Sequence, residues 1–214
     1  MYLSWSAFYE GSSDSYYFNV LIPRFLEEII SKLGKGSCDV ADGPAVEFGI
    51  RTRDFDRISA EICSRRDEFH IIFVHSDLGG RNQASKINGR REALIEKARN
   101  HCEFDINLAV MLSPEKELEA WILADKGAMC TALGVRKLPD CGIPEKPREV
   151  ERLPDPKLLL KKVIEKVSGR TSSSRNILVR VAQEQNFDEL RRTNSFREFE
   201  NSLISALKYA GFIE

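Results

Sequence analysis

The chain has 214 residues, 42% of them hydrophobic and 30% charged, and a formal net charge of -1, which is the profile of an ordinary globular protein. That length suits one large domain, or one domain with a substantial appendage, and the near-neutral charge singles out no partner. No apolar run approaches the length that spans a bilayer and residues 1–5 lack the basic start of a secretory signal, so a cytoplasmic location away from membranes is expected.

Residues 2–9 alternate apolar and polar positions, with aromatic content, and predict a strand. Gly11, Ser12, Ser13 and Asp14 then form a strand-to-helix junction, and the helix beyond it carries Tyr17, Leu21, Phe25, Ile29 and Leu33 at steps of four. Pro23, which costs about 3 kcal/mol inside a helix, predicts either a kink or a break into two helices. After a polar link over 34–44, residues 45–50 predict a second strand. Residues 54–68 predict an amphipathic helix with Phe55, Ile58 and Ile62 on one side.

Residues 69–75, Phe-His-Ile-Ile-Phe-Val-His, organise the rest. An apolar run with three β-branched members reads as a strand buried on both faces, which is typical of parallel sheets covered by helices. In such sheets the ligand crevice lies beyond the carboxyl ends of the strands, where His75 and Asp77 fall. An imidazole and a carboxylate on one side of the chain suit a divalent metal or acid–base work; the plainer alternative is a solvated turn, with Gly79 and Gly80 supplying positive φ. Residues 87–102 predict a helix and 106–112 a fourth strand, so strands and helices alternate as in an α/β sheet.

Ser113 and Pro114 have the grammar of a helix start, a capping serine with proline at the first helical position. In the following stretch Leu118, Trp121 and Ile122 make an apolar face beside an acidic row containing Glu115 and Glu119. Residues 134–156 hold five of the eight prolines and read as a linker or a long surface excursion. Asp155 and Pro156 start another capped helix, and further helices are expected over 175–185 and 195–209. Between residues 156 and 192 nine basic side chains face four acidic ones. Such a basic helical segment can track a phosphate backbone or remain an ordinary solvated face. The five cysteines form no CxxC pair, and their odd number and wide spacing predict free thiols.

Glu10-Gly11 after a first strand, with Asp14 following, resembles the opening motif of the Toprim superfamily, which includes topoisomerase and primase catalytic domains and the overcoming-lysogenization-defect nucleases. His75-Ser76-Asp77-Leu78-Gly79-Gly80-Arg81 resembles its second acidic motif. Pro114, the string Glu117 to Asp125, Asp155-Pro156-Lys157 and Asn194 to Phe199 are similar to a family of small Toprim-like bacterial proteins along nearly the whole chain. The resemblance implies an α/β, Toprim-like, mostly parallel sheet flanked by helices over residues 1–133. The excursion over 134–156 and a helical C-terminal module over 157–214 would follow.

The resemblance further implies Mg²⁺ or Mn²⁺, phosphodiester hydrolysis on nucleic acid, and relatives that act in anti-phage defence beside an ATPase. Glu10, Asp77 and Glu119 would be catalytic. Glu10, Asp77, His75 and Asp125 would ligate metal, because hard cations prefer oxygen ligands gathered from strand ends. Arg81, Lys86, Lys161 and Lys162 would contact phosphate. For Glu10 and Asp125 a capping role is the alternative. The superfamily's second motif has Asp-x-Asp, whereas Gly79 stands two residues after Asp77 here. Either His75 substitutes as the second polar ligand or the site binds metal weakly; the alternative function is a non-catalytic interaction module that serves a partner ATPase. Nucleic acid, an ATPase and a second copy of the chain in a homodimer are the partners under consideration.

Overall fold

The structure, a computed structural model, describes residues 1–9, 11–48, 54–75, 84–169 and 174–214. Its centre is a four-stranded parallel sheet in the order β4 (Glu47–Phe48), β2 (Trp5–Phe8), β5 (Ile71–His75), β6 (Ala109–Leu112). All five residues of β5 are buried, as expected for a strand with a neighbour on each side and helices above and below. The first expected strand is in fact two. Ser4, held by the ring Nδ1 of His70 at 2.8 Å from its hydroxyl, separates β2 from β1 (Tyr2–Leu3), which pairs with β3 (Asp39–Val40) in a small parallel ribbon.

Period-2 alternation sorts the strand side chains between two cores. Trp5, Ala7, Tyr9, Ile71, Phe73, Val110 and Leu112 point into the larger one, which also holds side chains of α1 (Ser12–Leu33), α4 (Leu118–Ala124), α5 (Lys126–Leu133), α7 (Pro156–Ser168), α8 (Ser174–Glu184), α9 (Phe187–Leu190) and α10 (Asn194–Tyr209). Phe8, Phe48, Ile72 and Val74 point the other way, onto α2 (Phe55–Ser64) and α3 (Ala84–Cys102). This is the α/β architecture expected from the sequence, a parallel sheet flanked by helices. Among the described residues no helix is long and apolar enough to cross a membrane.

Pro23 neither splits nor ends α1, which continues from Ser12 to Leu33. Proline has no N–H to give the Asn19 carbonyl, and burial of Tyr17, Phe18, Leu21, Ile22, Phe25, Leu26 and Ile29 outweighs that missing bond. The helix expected directly at Ser113-Pro114 starts later. Lys116 has φ of 69°, which takes the chain out of the right-handed helical region, and α4 begins only at Leu118 with Glu117 as its cap. The proline-rich excursion includes the short α6 (Pro147–Val150) and is fastened to the body through Glu151. The buried Glu151 carboxylate accepts bonds from the N–H groups of Asn194 (2.9 Å) and Ser195 (2.8 Å) at the start of α10, and from the Ser195 hydroxyl (2.7 Å). The same hydroxyl receives the indole N–H of Trp121 at 2.8 Å. Excursion, α4 and α10 therefore meet in one buried polar network.

The expectation of free thiols is corrected for one pair. Cys63 and Cys102 are joined by a disulfide, while Cys38, Cys130 and Cys141 are free. Their separation of 39 residues hides the pairing in the sequence; packing of α2 on α3 brings them together.

Candidate functional site

The carboxyl ends of β2, β5 and β6 share one edge of the sheet, because all three strands run the same way and His75 is in register with Leu112. α1 begins directly beyond β2, so its N-terminus lies at this edge. His75 falls on the α1 side, the side of Ile71 and Phe73, and its ring packs 4.7 Å from that of Phe18. It is 0% exposed.

Groups on opposite sides orient the imidazole. Its Nδ1 lies 3.1 Å from the Leu112 carbonyl, and a carbonyl only accepts, so this nitrogen carries the hydrogen. Nε2 then faces Asp14, with Oδ2 at 3.5 Å. Such an approach is favourable when Nε2 carries a proton or when a cation sits between the two atoms. A backbone carbonyl on the far nitrogen of a histidine is also the arrangement that aims a metal ligand. Asp14 is positioned by the helix start: Oδ2 accepts the Gly11 N–H at 2.9 Å and Oδ1 the Ser13 hydroxyl at 3.2 Å.

Behind this pair Tyr9 is fully buried and donates to Asn19 Oδ1 at 2.7 Å, and the Asn19 amide donates to Glu47. Burial pushes the Tyr9 phenol well above its usual range, and the charges of Glu47 and Asp14 add to that. Tyr9 therefore stays a neutral hydroxyl that links β2, α1 and β4. It is a positioning group, not a proton carrier at ordinary pH.

Glu119 lies on the first turn of α4 with its side chain 16% exposed, and its Oε1 is 3.9 Å from the Lys157 ammonium. Its neighbour Glu117 accepts the Lys157 N–H at 3.2 Å, so the acidic start of α4 and the basic start of α7 are tied together. Along α7, Lys157, Lys161 and Lys162 are exposed and Lys166 is on the same side, while Leu160, Val163 and Ile164 are buried. Lys161 pairs with Glu165 at 3.8 Å, and Lys162 and Lys166 line an open groove with Cys141.

Asp125 occupies the capping role that was the alternative for it. One of its oxygens accepts the Ala128 N–H at 3.0 Å as the cap of α5, and the other accepts the Asn186 N–H at 2.8 Å. With both oxygens on backbone donors and the residue buried, Asp125 fastens α5 to the α8–α9 junction.

The expected site residues Glu10, Asp77 and Arg81 lie outside the described residues, as does the side chain of Lys86 on α3. Among the described residues no group of three His, Cys, Asp or Glu side chains forms a metal set. Two donors are nevertheless in place. Ligands on adjacent positions of a divalent first-row cation sit about 3 to 3.5 Å apart, given bonds near 2.1 Å, and the Asp14–His75 spacing matches. Asp14 had no separate signal in the sequence beyond its place after Glu10-Gly11. An acid at the third position of a helix that follows a strand end is the feature that points to it.

The fold and this edge define an α/β protein with a buried carboxylate–imidazole pair at the carboxyl end of a parallel sheet. Comparison of the chain with known protein families, characterised proteins and solved structures finds no match.

Proposed function

We propose that this chain is a metal-dependent phosphodiester hydrolase acting on nucleic acid. The observation that carries the proposal is the 3.5 Å approach of His75 Nε2 to Asp14 Oδ2 at the sheet edge where α/β proteins bind ligands. The resemblance to Toprim nucleases points the same way, as do the chain neighbours Glu10 and Asp77. A mixed nitrogen and oxygen donor set favours Mn²⁺ over Mg²⁺, which prefers oxygen alone and keeps its waters. Asp14 and His75 would hold the cation, with Glu10 and Asp77 adjacent in the chain. A cation there supplies Lewis-acid activation of a phosphoryl oxygen and of water.

The protein groups divide the remaining tasks. The Leu112 carbonyl fixes the His75 tautomer and so keeps Nε2 directed at Asp14. The Gly11 N–H holds the Asp14 oxygen in place. Glu119, 3.9 Å from the Lys157 ammonium on the first turn of α4, would be the group that accepts a proton from water. The exposed lysines of α7 would supply the positive charge that draws a polyanion to the protein.

Isothermal titration of the full chain with Mn²⁺, together with a cleavage assay on single- and double-stranded nucleic acids, tests the proposal. Binding at micromolar to submillimolar Mn²⁺ is expected, lost in His75→Gln and weakened by about 10-fold or more in Asp14→Asn. Absence of Mn²⁺ binding to the folded wild type would leave the pair as a buried ion pair and favour the non-catalytic interaction module. Mn²⁺ binding without cleavage of any nucleic acid would separate the metal site from the hydrolase.

A further inference from the structure

We infer that the Cys63–Cys102 disulfide is a reversible redox clamp on the helical layer that covers the second face of the sheet. Cys63 sits at the next-to-last position of α2 and Cys102 is the last residue of α3, so the bond joins the two helices at their C-terminal ends. Among the described residues the layer meets the sheet through a small core, in which Ile58, Ile62, Leu94, Ile95 and Ala98 meet Phe8, Ile72 and Val74, and Lys97 of α3 pairs with Asp56 of α2. Among the described residues the core on the opposite face is much larger and draws on α1, α4, α5 and α7 to α10. A single cross-link therefore weighs more on the α2–α3 side.

The bond also closes a covalent loop from residue 63 to residue 102. That loop contains all of β5, including His75, and the 76–83 segment that carries Asp77 and Arg81. Both cysteines are half-buried residues at the margin of the second core rather than inside it. Arg66 donates to the Cys102 carbonyl at 3.0 Å while its Nε lies 3.7 Å from Asp67, so a paired guanidinium stands at the end of α3 that carries the bond.

The reductant is a thiol of the glutathione class. Its thiolate attacks one sulfur, forms a mixed disulfide and releases the other cysteine as a thiolate, which takes up a proton. A second glutathione thiolate then attacks the mixed disulfide and leaves as glutathione disulfide. Two electrons and two protons pass from two glutathione molecules to Cys63 and Cys102, and excess glutathione disulfide drives the same steps backwards. Opening the loop restores conformational freedom to the unfolded chain and lets the thinner layer separate from the sheet before the rest of the molecule.

The test uses the wild-type full chain equilibrated in glutathione buffers of varied ratio, quenched with a maleimide and mapped by peptide mass. Labels on Cys63 and Cys102 are expected to appear together, with half-conversion at reduced-to-oxidised ratios between about 1:1 and 1000:1 at millimolar glutathione. Over the same range the melting temperature should fall by roughly 10 °C, and amide exchange should rise over 54–68 and 84–102 before it rises over 194–209. Failure of the bond to form in fully oxidised buffer overturns the inference. So does a bond that withstands about 10 mM glutathione, which would be a permanent staple, or conversion without change in melting and exchange. Cys63→Ser combined with Cys102→Ser should melt like the reduced protein and ignore glutathione. If that variant does not fold, the wild-type titration decides alone.

Discussion

A histidine on the strand face that also bears Ile71 and Phe73 can be buried only if its nitrogens are provided for, and here backbone and helix start do so from opposite sides. A half-buried charge centre around Glu28 and Arg191 also shapes behaviour in solution. Arg191 reaches Glu28 at 2.5 Å, Glu200 at 2.8 Å and Asp188 at 2.9 Å, and joins α1 to α9 and α10. Burial alone would raise the Glu28 carboxyl, but hydrogen bonds from Lys32 and Arg191 outweigh it and hold the group below the ordinary value of 4.5. A carboxyl depressed on folding contributes stability that is complete above its unfolded value and is lost as the pH falls through the folded one. Glu28→Gln should therefore be less stable than wild type at about pH 7, and the two urea midpoints should converge below about pH 3. Parallel curves down to about pH 2 would mean that Glu28 contributes nothing through its charge.

Helix ends decide most of what happens between elements. Asp54 and Asp155 cap α2 and α7 as their positions in the sequence suggest, whereas Asp125 caps α5 and also holds Asn186 across the chain. Asp125→Ala should cost about 2 kcal/mol in urea unfolding, from a missing cap plus a buried N–H left without its acceptor, and leave Mn²⁺ affinity unchanged. A loss of Mn²⁺ binding in a folded Asp125→Ala protein would make it a ligand as well as a cap. The exposed face of α7 carries a second expectation. Lys161→Glu with Lys162→Glu should weaken binding to unrelated nucleic-acid sequences alike and reduce the salt slope, by about 0.7 for each phosphate of a single strand that the lysines no longer neutralise. Unchanged affinity and slope would mark the row as a solvated face.

The larger core ties the molecule together across the sequence. Phe25 of α1, Trp121 of α4, Phe187 of α9 and Phe196 and Phe199 of α10 form one aromatic cluster, with Phe73 of β5 against Phe199. Elements from both ends of the chain thus bury the same surface. Phe199→Ala should cost about 3 to 5 kcal/mol and shift a single cooperative transition seen alike by calorimetry and by tryptophan fluorescence. Two transitions, with only the later helices melting early, would show that the tail is energetically separate from the sheet.

Local pattern determined the elements that it could encode by itself. A continuous apolar run marked the central strand as buried on both faces, aspartate before proline marked the start of α7, and steps of four marked the inward face of α1 from Tyr17 to Ile29, with Leu33 at its end exposed. The position of His75 at the carboxyl end of a parallel strand followed from the same apolar run. Tertiary structure alone decided whether polar groups far apart in the chain would meet. Asp14 came to His75 across 61 residues, Glu151 to Ser195 across 44 and Cys63 to Cys102 across 39. Ser113-Pro114 has good capping grammar and still does not start a helix, because the positive φ at Lys116 and the cap at Glu117 set the beginning of α4. Periodicity records which face of an element is apolar; which partner completes a carboxylate, a thiol or an indole depends on how those faces pack, and packing is not a local property.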